Sequence, residues 1–129
     1  MRFGIKETGM VDNARGGAVY CGVTLSEGRM FSPKRDVDGR VIDVEIHPDT
    51  GVPIAGRLPH WDLVTSKLIK IARAFPQLRY MGFDVIIADS AFKIIEINSH
   101  QSLRCMGLFY PVMENEYCRQ FPGGMLKGS

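Results

Sequence analysis

Apolar and polar residues alternate over short distances in the first part of the chain. Short runs rich in β-branched and aromatic residues are separated by polar turns with glycine, a pattern typical of antiparallel strands. The predicted strands lie at residues 2–6, 18–25, 29–32 and 41–46, with turns at 26–28 and 36–40 and a polar loop over 8–17. This part of the chain is therefore predicted to be antiparallel β structure.

The spacing of apolar residues becomes helical in the next segment, which begins at Pro59 or His60 and ends at Phe75. Apolar residues recur there at positions i, i+4, i+7, i+8 and i+11, namely Val64, Leu68, Ile71, Ala72 and Phe75. Pro59 suits a first helical turn, and Pro76 ends the pattern. The spacing predicts one long helix with a single apolar stripe, which has to pack against another element.

Two further β-rich runs, Tyr80–Ala88 and Phe92–Asn98, are separated by three residues and predict a hairpin. A short helix is expected near 112–120. The predicted fold class is α+β, with an antiparallel sheet and one long amphipathic helix packed on it. A folded domain over residues 1–121 and a flexible, glycine-rich tail over 122–129 are expected.

Composition narrows the possible functions. The chain has 129 residues, of which 45% are hydrophobic and 23% are charged, as in an ordinary globular domain. A formal net charge of +2 is too weak a bias to indicate binding to nucleic acid or to a membrane surface. The apolar runs are far shorter than the roughly 20 residues of a membrane span, and the start lacks the apolar core of a secretory signal. We therefore expect a cytoplasmic protein.

The three cysteines, Cys21, Cys105 and Cys118, are widely spaced and include no CxxC pair. This spacing argues against a disulfide framework and against a structural zinc site. The three histidines also have no chelating spacing, so a transition-metal protein is disfavoured. The candidate chemistry lies elsewhere.

The predicted hairpin carries three oxygen-bearing side chains. Glu96 and Asn98 are two residues apart and point to the same face of a strand. With a three-residue turn at 89–91, Ala88 opposes Phe92 and Asp84 directly opposes Glu96. Two like charges in that position are destabilising. A divalent cation removes this cost, and two carboxylates with an amide oxygen form a ligand set that suits Mg²⁺.

The register of the hairpin decides between this site and two alternatives. A two-residue turn at 89–90 shifts the count by one and places Asp84 opposite Ile95. The acids could also be solvated groups on an exposed strand face. The three-residue turn is preferred because it separates the two kinds of side chain. It puts the apolar residues of the first strand on one face with Lys93, Ile95 and Ile97, and leaves the three oxygen ligands on the other.

These strands resemble the C-terminal lobe of ATP-grasp enzymes, whose signature is an Asp on one strand and Glu-x-Asn on the next. The segments that carry the resemblance are YMGFDV at 80–85 and IIEINS at 94–99. Three upstream segments, VDNARGG at 11–17, HPDTG at 47–51 and PHWD at 59–62, are similar to the sugar-transfer-associated subgroup, which is related to alpha-L-glutamate ligases.

The resemblance implies an ATP-dependent carboxylate ligase that forms an acylphosphate intermediate. It implies ATP and a carboxylate as substrates and Mg²⁺ as the metal, held by Asp84, Glu96 and Asn98. Within the same resemblance, Ile95 lies against the adenine, Arg2 steadies phosphate, and Asn13 falls in the loop that faces the reaction centre.

The resemblance also implies that residues 1–121 form part of an ATP-grasp domain. The family's phosphate-gripping lobe lies N-terminal to this region, so the single chain is expected to be incomplete as an enzyme. Either that missing lobe or self-association would then cover the open face. The alternative function is a non-catalytic binding or oligomerisation module derived from an ATP-grasp lobe.

Overall fold

A computed structural model describes residues 1–6, 17–99, 103 and 105–119. Within it the chain divides into two compact units, Met1–Arg57 and Leu58–Ser129. The β structure of the described residues is divided between two antiparallel sheets, one in each unit. The architecture is α+β, as predicted from the sequence.

The first unit contains a four-stranded antiparallel sheet whose strands follow chain order. Its strands are β1 (Arg2–Phe3), β2 (Val19–Val23), β3 (Met30–Val37) and β4 (Arg40–Asp43). All five residues of β2 are buried, because this apolar strand lies between two partners. β4 lies at the edge, and all four of its residues are exposed.

The core of the first unit is built on one face of β2. Val19 and Cys21 are two residues apart and so point to the same side, where they pack with Ile5 and Ile54. Burial raises the pKa of the Cys21 thiol above its ordinary value of 9.0. This thiol is therefore a small apolar core group rather than a nucleophile.

A bulge interrupts the pairing of β2 with β3. Tyr20 pairs with Lys34 and Gly22 pairs with Phe31, so β3 contains one extra residue between these rungs. Ser32, within that stretch, has a φ of 48°. A Cβ on Gly22 would lie 2.3 Å from the Phe31 ring, so the ring occupies space that only glycine leaves open.

The turn between β3 and β4 contains two left-handed residues. Asp38 and Gly39 have φ values of 52° and 79°, the conformation of a two-residue hairpin of type I′. Val37 pairs with Arg40 on either side of this turn, and the side chain of Asp36 accepts a hydrogen bond from the backbone N–H of Gly39. The predicted turn at 36–40 is therefore confirmed.

The HPDTG segment forms a turn that holds the N-terminal residues. His47 Nδ1 accepts a hydrogen bond from the Asp49 N–H at 3.3 Å, so its Nε2 is the nitrogen that donates to the Gly4 carbonyl at 2.9 Å. The Asp49 carboxylate accepts from the Lys6 N–H at 2.7 Å. The Phe3 ring packs edge-on against His47. Residues 3–6 are therefore fixed by contacts with a segment more than 40 residues away.

The helix of the second unit, α1 (Trp61–Ala74), lies where the helical spacing predicts it. Of its predicted stripe, Val64 is buried and Leu68, Ile71 and Ala72 are half-buried, whereas Phe75 is exposed and follows the helix. His60, just before the helix, has a φ of 57° and donates from Nε2 to the Asp89 carbonyl at 2.8 Å. The packing of α1 on a sheet stays a prediction.

The sheet of the second unit is a hairpin of β5 (Gly82–Ile87) and β6 (Phe92–Asn98). Short helical segments follow. These are 3₁₀ helices at Met106–Leu108 and Val112–Glu114, and a single turn of α-helix, α2 (Glu116–Arg119). The predicted short helix is thus broken at Asn115, and its end at 120 and the predicted tail over 122–129 lie outside the described residues.

Candidate functional site

The turn between β5 and β6 differs from the predicted one. Ile87 pairs with Phe92, and the Ala88 N–H donates to the Ala91 carbonyl at 2.8 Å. The loop therefore consists of Asp89 and Ser90, and the three-residue turn predicted from the sequence is wrong. The sequence pattern does not separate the two turn lengths, because Asp and Ser are common in turns of either length.

A bulge in β6 restores the pairing that the turn alone would have destroyed. Val85 pairs with Ile94, but the next rung pairs Asp84 with Glu96, so Ile95 is one extra residue. Phe83 then pairs with Ile97 and Gly82 with Asn98. The predicted opposition of Asp84 and Glu96 is therefore confirmed, although it arises from a bulge and not from the turn.

The bulge also changes which residues share a face. Side chains of paired residues lie on the same face, so one face carries Asp84, Ile86, Lys93, Glu96 and Asn98. The other carries Phe83, Val85, Ile87, Phe92, Ile94 and Ile97. The prediction that Lys93 lies with the apolar residues is wrong, because the two-residue turn pairs it with Ile86. The extra residue Ile95 then brings Glu96 to the same face.

Exposure agrees with this register except at the end of β6, where Ile97 on the apolar face is 43% exposed and Asn98 on the carboxylate face is half-buried. Val85, Ile87, Phe92 and Ile94 are half-buried, whereas Asp84, Ile86, Lys93 and Glu96 are exposed. Ile95 would be half-buried in a regular strand of the predicted register, but it is 55% exposed. Lys93 is the residue of this face that sequence reasoning missed. A lysine among apolar side chains was the available signal, since lysine is almost never buried without a partner.

The carboxylates of Asp84 and Glu96 have no ion-pair partner among the residues that the structure describes. Directly opposed residues have Cβ atoms roughly 4.5 to 5.5 Å apart, and like charges at that spacing repel. In the described part of the chain, neither side chain makes a hydrogen bond or an ion pair. Lys93 lies on the same face but pairs with neither of them. In the described residues this face thus holds two negative charges beside each other that no ion pair neutralises.

These residues have the chemistry of a Mg²⁺ site. Two carboxylates and the amide oxygen of Asn98 are hard oxygen donors, and Asn98 opposes Gly82, which has no side chain to fill the space across the rung. Among the residues that the structure describes, no group of three or more His, Cys, Asp and Glu side chains could hold a metal ion. The hairpin donors are two acids and an amide, which is a different set.

The remaining predicted site residues are distributed over both units. Ile95 is the bulge residue of β6, next to Glu96. Arg2 lies in β1 of the first unit, where it is exposed and pairs with Tyr20. Asn13 lies outside the described residues. The roles predicted for these three residues stay predictions.

Tyr80 lies just before β5. Burial raises the pKa of the Tyr80 hydroxyl above its ordinary value of 10.0. The negative charge of ionised Cys118 raises this pKa further, by a smaller amount. The hydroxyl is therefore protonated at neutral pH and can act only as a hydrogen-bonding group there.

The three cysteines are free thiols, as expected from their spacing.

Comparison with known proteins decides the family. Residues 1–112 match the family described as "Sugar-transfer associated ATP-grasp". The chain belongs to this family. No curated protein and no solved structure matches it. The match extends to the first residue of the second 3₁₀ helix, so it includes the β5–β6 hairpin with its bulge.

Membership of the sugar-transfer-associated ATP-grasp family supports, at a coarse level, a domain that binds nucleotide and carboxylate substrates. The Asp and Glu-x-Asn positions that carried the resemblance are the ones that the hairpin brings onto one face. In the described residues, no helix combines the length and the apolar character needed to cross a membrane.

Proposed function

We propose that this chain is the metal- and nucleotide-phosphate-binding lobe of an ATP-dependent carboxylate ligase related to alpha-L-glutamate ligases. It corresponds to the C-terminal lobe of the ATP-grasp fold, and α1 packs on its sheet. Because ATP is a cytoplasmic metabolite, the proposal retains the predicted cytoplasmic location. The carboxylate and the nucleophile that it joins are not assigned.

One observation carries this proposal. Asp84 and Glu96 face each other across a rung without a compensating cation in the described part of the chain, and Asn98 is on the same face. A pair of opposed acids weakens a hairpin unless a cation binds between them. A bulge beside the pair fits the same interpretation, since bulges are over-represented next to active sites and re-aim side chains there.

The proposed reaction has two steps. A carboxylate oxygen of the substrate attacks the γ-phosphorus of ATP, the bond to the leaving ADP oxygen breaks, and an acylphosphate forms. An amine or similar nucleophile then attacks the acyl carbon and releases phosphate. A Mg²⁺ ion at Asp84, Glu96 and Asn98 would neutralise phosphate charge when bound. The protein residues position groups, and no catalytic histidine is required.

Three further residues have proposed roles. Ile95 would contact the adenine, which is consistent with the bulge leaving its side chain 55% exposed. Arg2 would steady a phosphate group, and Asn13 would face the reaction centre. These assignments follow the family resemblance, and each can be tested by a single substitution.

The proposal is tested by titrating the full chain with Mg²⁺ and adenylyl-imidodiphosphate in a calorimeter. The double variant Asp84→Asn, Glu96→Gln should lose the Mg²⁺-dependent nucleotide signal, because it removes both charged ligands while keeping the side-chain size. Asp89→Asn, in the turn of the same hairpin, is the control; it removes one negative charge, whereas the double variant removes two.

Equal binding by the wild type and the double variant would overturn the proposal, provided that far-UV circular dichroism shows both to be folded. So would a loss of the signal in Asp89→Asn as large as that in the double variant. Affinity is expected to be weak for one lobe, because a ligand that is contacted on one side keeps much of its surface in water.

A non-catalytic binding or oligomerisation module is the second candidate. It is favoured by three exposed isoleucines in the hairpin, Ile86, Ile95 and Ile97, which are 60%, 55% and 43% exposed. Exposed apolar surface favours association with a partner or a second copy. Light scattering that shows association, combined with no nucleotide signal in calorimetry, would favour this candidate over the ligase lobe.

A further inference from the structure

The two-residue turn and the bulge together place Lys93 on the carboxylate face. It pairs with Ile86 two positions along β5 from Asp84, and the extra residue Ile95 lies between it and Glu96. In an unbroken β6 of the predicted register, Lys93 would lie on the opposite face. The turn therefore places a cation on the face of Asp84, and the bulge brings Glu96 and Asn98 to the same face.

The ammonium group of Lys93 is not used by the described residues. Its side chain is exposed, and no hydrogen bond or ion pair involves it in the parts of the chain that the structure describes. Lys93 and Asp84 are diagonal neighbours across the two strands. The backbones of such residues lie about 7 to 8 Å apart, a distance that a long side chain can span. Lys93 nevertheless leaves both acids unpaired.

This arrangement fits an anion held between a cation and a metal. An exposed lysine has a flexible stem and three rotatable N–H donors, which suit a phosphate oxygen. Asp84, Glu96 and Asn98 would hold the metal ion, which would neutralise phosphate charge, and Lys93 would supply a further positive charge and N–H donors. The negative carboxylates and phosphate would then alternate with the positive metal ion and the Lys93 ammonium.

We propose that Lys93 binds a phosphate group of the nucleotide beside the Asp84–Glu96 metal site. This inference rests on the proposed function and adds to it a binding residue outside the Asp and Glu-x-Asn pattern. Lys93 contacts the ligand and not the protein. Its charge is needed when nucleotide is present and is unfavourable when Mg²⁺ binds by itself.

The experiment compares wild-type chain with Lys93→Gln, Lys93→Arg and a control, Lys70→Gln, in two calorimetric titrations. Lys70 is an exposed lysine of α1, so its substitution changes the net charge equally. With Mg²⁺ and adenylyl-imidodiphosphate, Lys93→Gln should weaken binding about 3- to 10-fold, the range of a partly exposed charged hydrogen bond. Lys93→Arg should restore most of the affinity, and Lys70→Gln should match the wild type.

Titration with Mg²⁺ alone should give the opposite result. Removing a positive charge near the two acids leaves Mg²⁺ affinity unchanged or raises it by up to about 2-fold, since like charges repel weakly across water. A loss of hairpin structure would weaken both titrations together. The inference is overturned if Lys93→Gln binds nucleotide as well as the wild type does, or if it loses Mg²⁺ and nucleotide affinity in parallel.

Failure of this inference differs from failure of the proposed function. If Asp84→Asn, Glu96→Gln binds nucleotide as well as the wild type does, the metal site itself is wrong. If that variant loses binding while Lys93→Gln retains it, only the role of Lys93 is wrong. In the double variant, an added Lys93→Gln should have little further effect, because its phosphate partner is then no longer held.

Discussion

The sheet of the first unit and the hairpin of the second use the same device for different purposes. Each is antiparallel, and each has one bulge. In the first unit the bulge lies opposite β2, in which every residue is buried and Gly22 leaves space for the Phe31 ring. In the second unit the bulge lies at Ile95 on an exposed face, beside two carboxylates.

The difference shows what an extra residue does in each setting. Where the partner strand is buried, as β2 is, the bulge accommodates packing, and an error there removes core contacts. Where one face is exposed, the bulge instead sets which polar side chains meet, and an error costs little stability. Function can therefore be placed on the hairpin because its face is not needed for the core.

Truncation of the buried strand should have the largest effect on stability. Val19→Ala should lower the free energy of unfolding by about 2 kcal/mol, because Val19 is fully buried and the loss leaves a cavity. Ile86→Ala, on the exposed hairpin face, should stay within about 0.5 kcal/mol although it removes more atoms. Urea unfolding followed by circular dichroism measures both. Similar losses would contradict the contrast between the two sheets.

Two histidines offer a second comparison, of intermediate size. His47→Asn removes two hydrogen bonds and the Phe3 contact and should cost about 1 to 2 kcal/mol. His60→Asn removes one hydrogen bond, to the Asp89 carbonyl, and should cost about 0.5 to 1 kcal/mol. Asparagine tolerates the left-handed backbone of His60, so strain does not confound the comparison. A larger loss at His60 would reverse the expected order.

The smallest expected effect on stability comes from the repulsion between the carboxylates of Asp84 and Glu96. When a chelator removes divalent cations, Asp84→Asn should stabilise the chain by about 0.2 to 1 kcal/mol, because it relieves repulsion from Glu96. Asp89→Asn should change little. Added Mg²⁺ should stabilise the wild type and leave Asp84→Asn unaffected. The difference in the free energy of unfolding between the two proteins should therefore shrink or change sign. Destabilisation by Asp84→Asn in the chelator would show that the two acids do not repel each other.

Much of the fold follows from local pattern. The position of α1 was predicted by the spacing of Val64, Leu68 and Ile71, and the turn at Asp38 and Gly39 by its residue types. β6 has the predicted bounds, Phe92–Asn98. The turn length of the second hairpin was not predictable, because Asp89-Ser90 and Asp89-Ser90-Ala91 are both acceptable turn sequences. The bulge at Ile95 was missed because a strand rich in isoleucine carries no signal for an extra residue.

The sequence by itself determined which side chains are available for chemistry: an acid on one strand, an acid and an amide two residues apart on the next, and a family pattern that joins them. Only the tertiary structure decided that Asp84 and Glu96 share a rung and that Lys93 shares their face. The physical reason is that side chains alternate with a period of two, so one extra residue reverses every face beyond it. The local sequence gives no sign of this extra residue, whereas the pairing of the backbone shows it directly.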